Sequence, residues 1–279
     1  MRFLKTVPLI SLFISLLAFA EIREIKSMAE AGPFLTQDTL VIFDLDNTVF
    51  EPVQTLGSDQ FFSHLVKKAE AQGVQNQVAV NMALAQSTPI QPVTKVRAVE
   101  AFTPLLVANL QRQKISVLAL TARPPQWSQG TLQQVASLGI NFSRTAPQMN
   151  SALFHNGFYT HGVLFLPAGA EKGKVLIQFL KQAHLNPSRV LFIDDKVHNV
   201  QSVDMALTQV KIKSLSLRYG AADAKVKSFN PALADFEHQY FLRYRLFLSD
   251  EAALQMMTPR RKVGELRPGK ENDKVLLYF

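Results

Sequence analysis

Cysteine is absent from the 279 residues. That absence excludes disulfides, thiolate zinc sites, iron–sulfur ligation, a cysteine nucleophile and a lipid anchor on cysteine. Tryptophan occurs once, as Trp127, and reads as a packing residue. Charge of one sign is not concentrated: 30 Lys and Arg stand against 22 Asp and Glu, and two of the basic residues, Arg2 and Lys5, fall in a segment expected to be removed. So modest a surplus reads as a diffuse surface property, and nucleic-acid binding is not expected. A glycine-rich phosphate loop is missing too. Ahead of Lys174, Ala168 stands where the first glycine belongs, and Val175 replaces the Ser or Thr that would touch a metal. With 47% hydrophobic and 19% charged residues, the chain is too apolar for disorder and too mixed for a polytopic membrane protein.

Residues 1–20 carry a basic start, an apolar run from Val7 to Leu17, and Ala18-Phe19-Ala20 ahead of polar Glu21. This order is that of a secretory signal peptide with a small-x-small cleavage site. The run is shorter than the ~20 residues that span a bilayer, so no stable span is expected once it is cut. If it stays, one N-terminal helix tethers the body. Either way a periplasmic or secreted location is expected.

Three apolar runs each end in polar chemistry. Thr39 to Phe43 stops at Asp44-Leu45-Asp46-Asn47-Thr48. Ile115 to Leu120 stops at Thr121-Ala122-Arg123, and Arg189 to Ile193 stops at Asp194-Asp195-Lys196. Short β-branched and aromatic runs without alternation read as strands covered on both faces. Helical segments are expected between them, over Phe61–Gln72, Thr94–Arg112, Thr131–Leu138 and Lys174–Ala183. Strand and helix alternation predicts an α/β fold with a doubly wound parallel sheet, whose ligands bind beyond the carboxyl ends of the strands. A fourth strand, Lys211–Tyr219, alternates polar and apolar residues and is expected near a sheet edge.

Two carboxylates beside a further Asp194-Asp195 pair repel one another unless a cation lies between them. An oxygen-only donor set suits Mg²⁺ held together with a substrate phosphate. A lone Asp-x-Asp is equally a capped turn after a strand.

Taken together, Asp44-Leu45-Asp46-Asn47-Thr48, Thr121 after its strand, Lys172 ahead of a helix and Asp194-Asp195 after another strand resemble, in order, the four motifs of the haloacid dehalogenase-like superfamily. The resemblance covers roughly residues 38–220 and looks most like exported bacterial members. It implies that Asp44 attacks phosphorus to form an aspartyl-phosphate. Asp46 would protonate the leaving oxygen and lend its carbonyl to the metal, while Thr121 and Lys172 hold the phosphoryl oxygens. Asp44, Asp46, Asp194 and Asp195 would hold Mg²⁺, with Asp195 the direct ligand of the last pair, although the two can exchange roles. The acid at Asp46 favours a phosphatase over a dehalogenase, and transfer to a second alcohol stays open. Lys174 rivals Lys172, which is preferred because Lys172-Gly173-x-x-Leu176 matches a pattern of the family.

By the same resemblance, residues 50–93 form a small helical cap over the site. Asp59 is then either a substrate contact or a helix-start acid, and Arg123 either a phosphate contact or a loop anchor. A hairpin insertion is expected over about 150–168, turning at Asn156-Gly157. His155 and His161 flank it without a nearby acid and do not suggest zinc. His198 and Asn199 either line the crevice or serve the next helix. Phe236 to Leu248 carries apolar residues at helical spacing and reads as core packing. A basic tail over about 257–279, including Arg260, Arg261, Lys262, Arg267 and Lys270, is either solvated or contacts acidic lipid or a protein partner.

The expectation is a single domain over 21–279: an exported Mg²⁺-dependent phosphomonoesterase acting on a small phosphorylated substrate. The alternative is an exported interaction protein on the same scaffold with little turnover.

Overall fold

The computed structural model describes residues 21–150, 152–154 and 157–258. The expected leader, His155, Asn156 and the tail from Pro259 lie outside the described residues. The strands are β1 (Ile22–Ile25), β2 (Thr39–Phe43), β3 (Phe50–Pro52), β4 (Val96–Ala98), β5 (Val117–Thr121), β6 (Ala152–Phe154), β7 (Gly157–Thr160), β8 (Val163–Phe165), β9 (Arg189–Asp194) and β10 (Lys213–Tyr219). The α-helices are α1 (Asp59–Glu70), α2 (Asn76–Ser87), α3 (Phe102–Arg112), α4 (Ser128–Ser137), α5 (Lys172–Gln182), α6 (Val197–Gln209), α7 (Asp223–Lys227), α8 (Pro231–Tyr244) and α9 (Asp250–Met257). Among the described residues no helix is long and apolar enough to cross a membrane.

The main sheet runs β1-β10-β9-β2-β5-β8-β7-β6. Every pairing from β1 through β8 is parallel, and β7 and β6 add antiparallel. Alternate strand residues feed two separate cores. Val41, Phe43 and Leu191 pack with Leu106 and Leu110 of α3 and Val135 of α4. Leu40, Ile42 and Phe192 pack with Leu176 and Phe179 of α5 and Val203 and Leu207 of α6. Both faces are therefore covered, which is why the strands read as unbroken apolar runs. The fold is α/β with a mainly parallel, doubly wound sheet.

The structure corrects two local expectations, the start of one helix and the place of Gly157. The helix expected over Thr94–Arg112 begins at Phe102, because Val96–Ala98 is a strand that pairs antiparallel with Phe50–Pro52. Pro104 then falls in the first turn of α3, where a missing N–H costs nothing. In the segment expected as a hairpin insertion, β6 and β7 do pair as a hairpin, and β8, paired with both β5 and β7, joins it to the central sheet. Phe154 pairs with Gly157 in that hairpin, so Gly157, expected in the turn, is a ladder residue. The strand expected near an edge, β10, lies second from it, with β1 from the N-terminal segment outside.

The cap is built from two distant parts of the chain. Helices α1 and α2 rise between β3 and β4, and their apolar residues Leu56, Phe61, Leu65, Ala83 and Ile90 pack on Ala234 and Phe241 of α8. The two connections to the core touch: Gly57 has φ of 91°, and a Cβ there would lie 2.3 Å from the Thr94 hydroxyl oxygen. Only glycine fits that crossing without displacement.

Candidate active site

The ends of β2, β5 and β9 and the start of α5 meet at one point on the carboxyl edge of the sheet. Asp44 follows β2, and its N–H donates to the Ile193 carbonyl at 2.8 Å. Lys172 opens α5 with its side chain 1% exposed. Its ammonium donates to Asp44, to Asp194 at 2.7 Å and to the Leu120 carbonyl at 3.0 Å. Lys174, the sequence rival, is 72% exposed and pairs with Glu171 at 3.1 Å. Gly173 explains how Lys172 arrives there. A Cβ at Gly173 would lie 2.1 Å from the Ser202 carbonyl oxygen, so α5 and α6 approach backbone to backbone.

Carboxylate oxygens of Asp44, Asp194 and Asp195 lie within 4.8 Å of one another. Asp194 is saturated with donors: Lys172, the Lys196 N–H at 2.7 Å, and the Asn199 amide at 3.1 Å to each oxygen. Asp195 has far less, its carboxylate accepting from the Asn47 amide at 3.2 Å. Its N–H donates to the Thr48 hydroxyl at 3.1 Å. Burial pushes the Asp195 carboxyl up to about 8, with Asp44 and Asp194 adding to the rise. Burial likewise pushes Asp44 up to about 7 against the pull of Lys172. Burial works against the charge of Lys172, yet Asp194 and Asp44 outweigh it and hold the ammonium above its usual range.

Asp46 is turned elsewhere. Arg123 Nε and Nη2 each reach one of its oxygens at 2.7 Å. Burial opposes the charge of Asp46, but Arg123 prevails and holds the carboxyl below the usual carboxylate range. The guanidinium, 4% exposed, also donates to Gln134 at 2.6 Å and Thr131 at 3.2 Å, and it covers the Phe50 ring at 4.8 Å. Gln134 in turn donates to the carbonyls of Gln91 and Thr94 at the base of the cap. Arg123 is thus a loop anchor that also touches the site. Asp59 starts α1 after the Ser58 N-cap and pairs with Lys196 at 2.9 Å, joining cap to core. Thr121 is fully buried, its hydroxyl accepting from the Arg123 N–H at 3.2 Å.

The charges sort into two neutral pairs, Asp46 with Arg123 and Asp59 with Lys196, and one unbalanced group. In that group three carboxylates face one ammonium, so full ionisation would leave two negative charges uncompensated, which together with burial is why the carboxyls of Asp44 and Asp195 are raised. A hard divalent cation fits both the charge and the all-oxygen donors.

The sequence reading assigned no role to Asn47, Thr48 or Lys196, although all three adjoin the acidic motifs. Asn47 has φ of 58°, a conformation asparagine tolerates, and this aims its amide at Asp195. Asn199 lines the site, its amide donating to Asp194, while His198 is exposed. His161 adjoins the β7–β8 turn, its ring 2.8 Å from the Thr160 hydroxyl.

Fold and site together define an α/β protein with a buried carboxylate–lysine centre at the end of a parallel sheet, and α1 and α2 line a cleft next to it with Asp46, Arg123 and Lys196. The family model described as "Protein of unknown function (DUF2608)" matches residues 19–254, and the chain belongs to that family. A Chlamydia trachomatis protein named "Putative outer membrane protein" is 29% identical over 257 residues, covering 90% of this chain and 94% of that relative. A Chlamydia pneumoniae protein with the same name stem is 26% identical over 239 residues, covering 86% and 90%. Among solved structures, a haloacid dehalogenase-like family hydrolase from Streptococcus pneumoniae aligns with TM-score 0.38 and 13% identity, over 65% of this chain and 95% of that one. The class C acid phosphatase from Bacillus anthracis aligns with TM-score 0.33 and 13% identity, over 76% and 82%. Scores this low decide nothing, and the fold class rests on the strand order itself.

Proposed function

We propose that this protein is an exported Mg²⁺-dependent phosphomonoester hydrolase of the haloacid dehalogenase-like type. The observation that carries the reading is the buried cluster of Asp44, Asp194 and Asp195, three carboxyls gathered with the single ammonium of Lys172. Asp44, Asp194 and Asp195 would hold the metal, with Asp195 more available than Asp194 because its carboxylate, among the described residues, accepts from Asn47 alone. A bound Mg²⁺ supplies the neutralisation that lets a carboxylate approach a phosphate dianion.

The residues of the chain divide the remaining work. An Asp44 oxygen attacks phosphorus as the bond to the leaving oxygen breaks, and Asp46 gives that oxygen a proton. Water then attacks the phosphorylated Asp44, passes its proton to Asp46, and phosphate departs. Lys172 and the Thr121 hydroxyl hold phosphoryl oxygens as charge redistributes. Arg123 holds Asp46 below the usual carboxylate range and so ionised. An incoming phosphate competes for that guanidinium, and Asp46, released from it, takes up a proton from solvent that it then gives to the leaving oxygen.

Export rests on the N-terminal pattern, and a place in the cell envelope accords with the naming of the chlamydial relatives. The test is release of inorganic phosphate from a panel of phosphomonoesters by the purified protein. Release should require Mg²⁺, stop with EDTA and vanish in Asp44→Asn. Activity persisting in that variant removes Asp44 as the nucleophile.

A further inference from the structure

A cleft of about 210 Å³ opens between cap and core beside the acidic centre. Asp46, Arg123 and Lys196 line it together with Phe62 and Val80 of the cap and Trp127 of the core. The wall is mixed in a particular way. Phe62 and Trp127 stand edge to face with centroids 6.3 Å apart. The indole N–H is already committed, donating to the Thr88 hydroxyl at 3.1 Å, so the ring offers surface rather than polarity.

One side chain of the same wall, Gln91, carries an unspent polar atom beneath the surface. Gln91 is 7% exposed and its Nε2 donates to the Gly57 carbonyl at 3.3 Å, which fixes the amide orientation. Its Oε1 is buried and has no partner among the described residues. A buried acceptor of this kind is costly unless a ligand supplies the donor. The cleft is also smaller than the roughly 300–1,000 Å³ of sites for drug-sized ligands, which favours one ring over a whole nucleoside.

Resting on the phosphatase reading above, we propose that the cleft selects phosphomonoesters whose alcohol carries a single aromatic or heteroaromatic ring bearing an N–H or O–H donor. The ring lies against Phe62 and Trp127, and its donor is received by Gln91. An aliphatic polyol phosphate would leave the aromatic surface wet and gain little from it.

Because Trp127 is the sole tryptophan, its emission reports occupancy without turnover. Phenylphosphonate, an aminophenylphosphonate series and methylphosphonate would be titrated into the full protein with Mg²⁺. Phenylphosphonate should shift the emission saturably at concentrations at least tenfold below methylphosphonate. One aminophenyl isomer should bind more tightly still, and Gln91→Leu should erase that added gain. Phe62→Ala, which leaves Trp127 and its Thr88 contact in place, should weaken phenylphosphonate at least tenfold. Equal affinity of phenyl- and methylphosphonate, or ring binding indifferent to both substitutions, overturns the proposal. Phosphate release separates the two readings. If phenyl phosphate is not hydrolysed while the ring selectivity holds, the phosphatase reading fails and the cleft assignment stands. If phenyl and glycerol phosphates are hydrolysed with equal kcat/KM, the cleft assignment fails and the phosphatase reading stands.

Discussion

Arg123 grips Asp46 through two contacts of 2.7 Å, one to each carboxylate oxygen, while its third nitrogen is held by Gln134 and Thr131. Arg123→Met removes the cation and strands Asp46 and Gln134 without donors. Breaking a buried pair from one side costs about 3–5 kcal/mol. Urea unfolding should show a loss of that order, and phosphate release should fall at least tenfold.

Lys172→Met should be more severe for turnover. The ammonium is the protein cation that bridges Asp44 and Asp194, and without it those carboxylates face each other in a dry site. Phosphate release is expected to fall below detection. Thermal unfolding should drop sharply without Mg²⁺ and recover in part when Mg²⁺ is added.

Gly173→Ala tests how Lys172 is placed. The added methyl would meet the Ser202 carbonyl oxygen at 2.1 Å and the Ala206 Cβ at 2.9 Å, and neither lies at the end of a flexible side chain. Overpacking of this kind costs about 1–3 kcal/mol. The variant should unfold at lower urea and lose activity, because α5 must shift and carries Lys172 with it.

Divalent metal should stabilise the folded chain by filling the unbalanced cluster. Saturating Mg²⁺ at about 100 times its dissociation constant adds about 2.7 kcal/mol. Calorimetry should show a rise in Tm with Mg²⁺ that Asp195→Asn largely abolishes. Without Mg²⁺, Asp195→Asn should be neutral or more stable than the parent, since it removes one of the repelling carboxylates.

A pH dependence also arises outside the acidic centre, where α8 meets Leu56. Glu237 of α8 is buried, accepts the Leu56 N–H at 2.9 Å and faces Asp250, which itself accepts the Thr55 N–H at 2.7 Å. Burial, with Asp250 adding, pushes the Glu237 carboxyl from its ordinary 4.5 up to about 8. The folded chain therefore holds a proton that the unfolded chain releases. Stability from this residue is complete below pH 4.5, declines as pH rises, and levels off above about 8. Glu237→Gln keeps an acceptor for Leu56 and a donor for Asp250, so its Tm should exceed that of the parent at pH 8 and match it at pH 5. Each kcal/mol recovered is worth about 2–4 °C in a domain of this size.

Much of the centre was legible because its chemistry sits where apolar runs stop. Thr39–Phe43 and Arg189–Asp194 are strands within a residue of where the runs end, since strands covered on both faces must be continuously apolar. Val96–Ala98 was misread because three residues are too few to show a period. Their strand character comes from pairing with Phe50–Pro52 across the length of the cap. The buttress of the cap by α8 was also invisible. Phe241 and Ala234 signal a buried helix face, but nothing local says that Leu56, Phe61 and Ile90 are what they bury against.

The sequence by itself determined the sheet and the acidic cluster at its carboxyl end, because strand burial and charge repulsion are written in neighbouring residues. The tertiary structure decided which lysine enters the centre, that Asp46 belongs to Arg123, and that Gln91 and Trp127 share one cleft. Those choices depend on backbone approaches such as Gly173 to Ser202 and Gly57 to Thr94. Such contacts join positions tens of residues apart, and no local propensity encodes them.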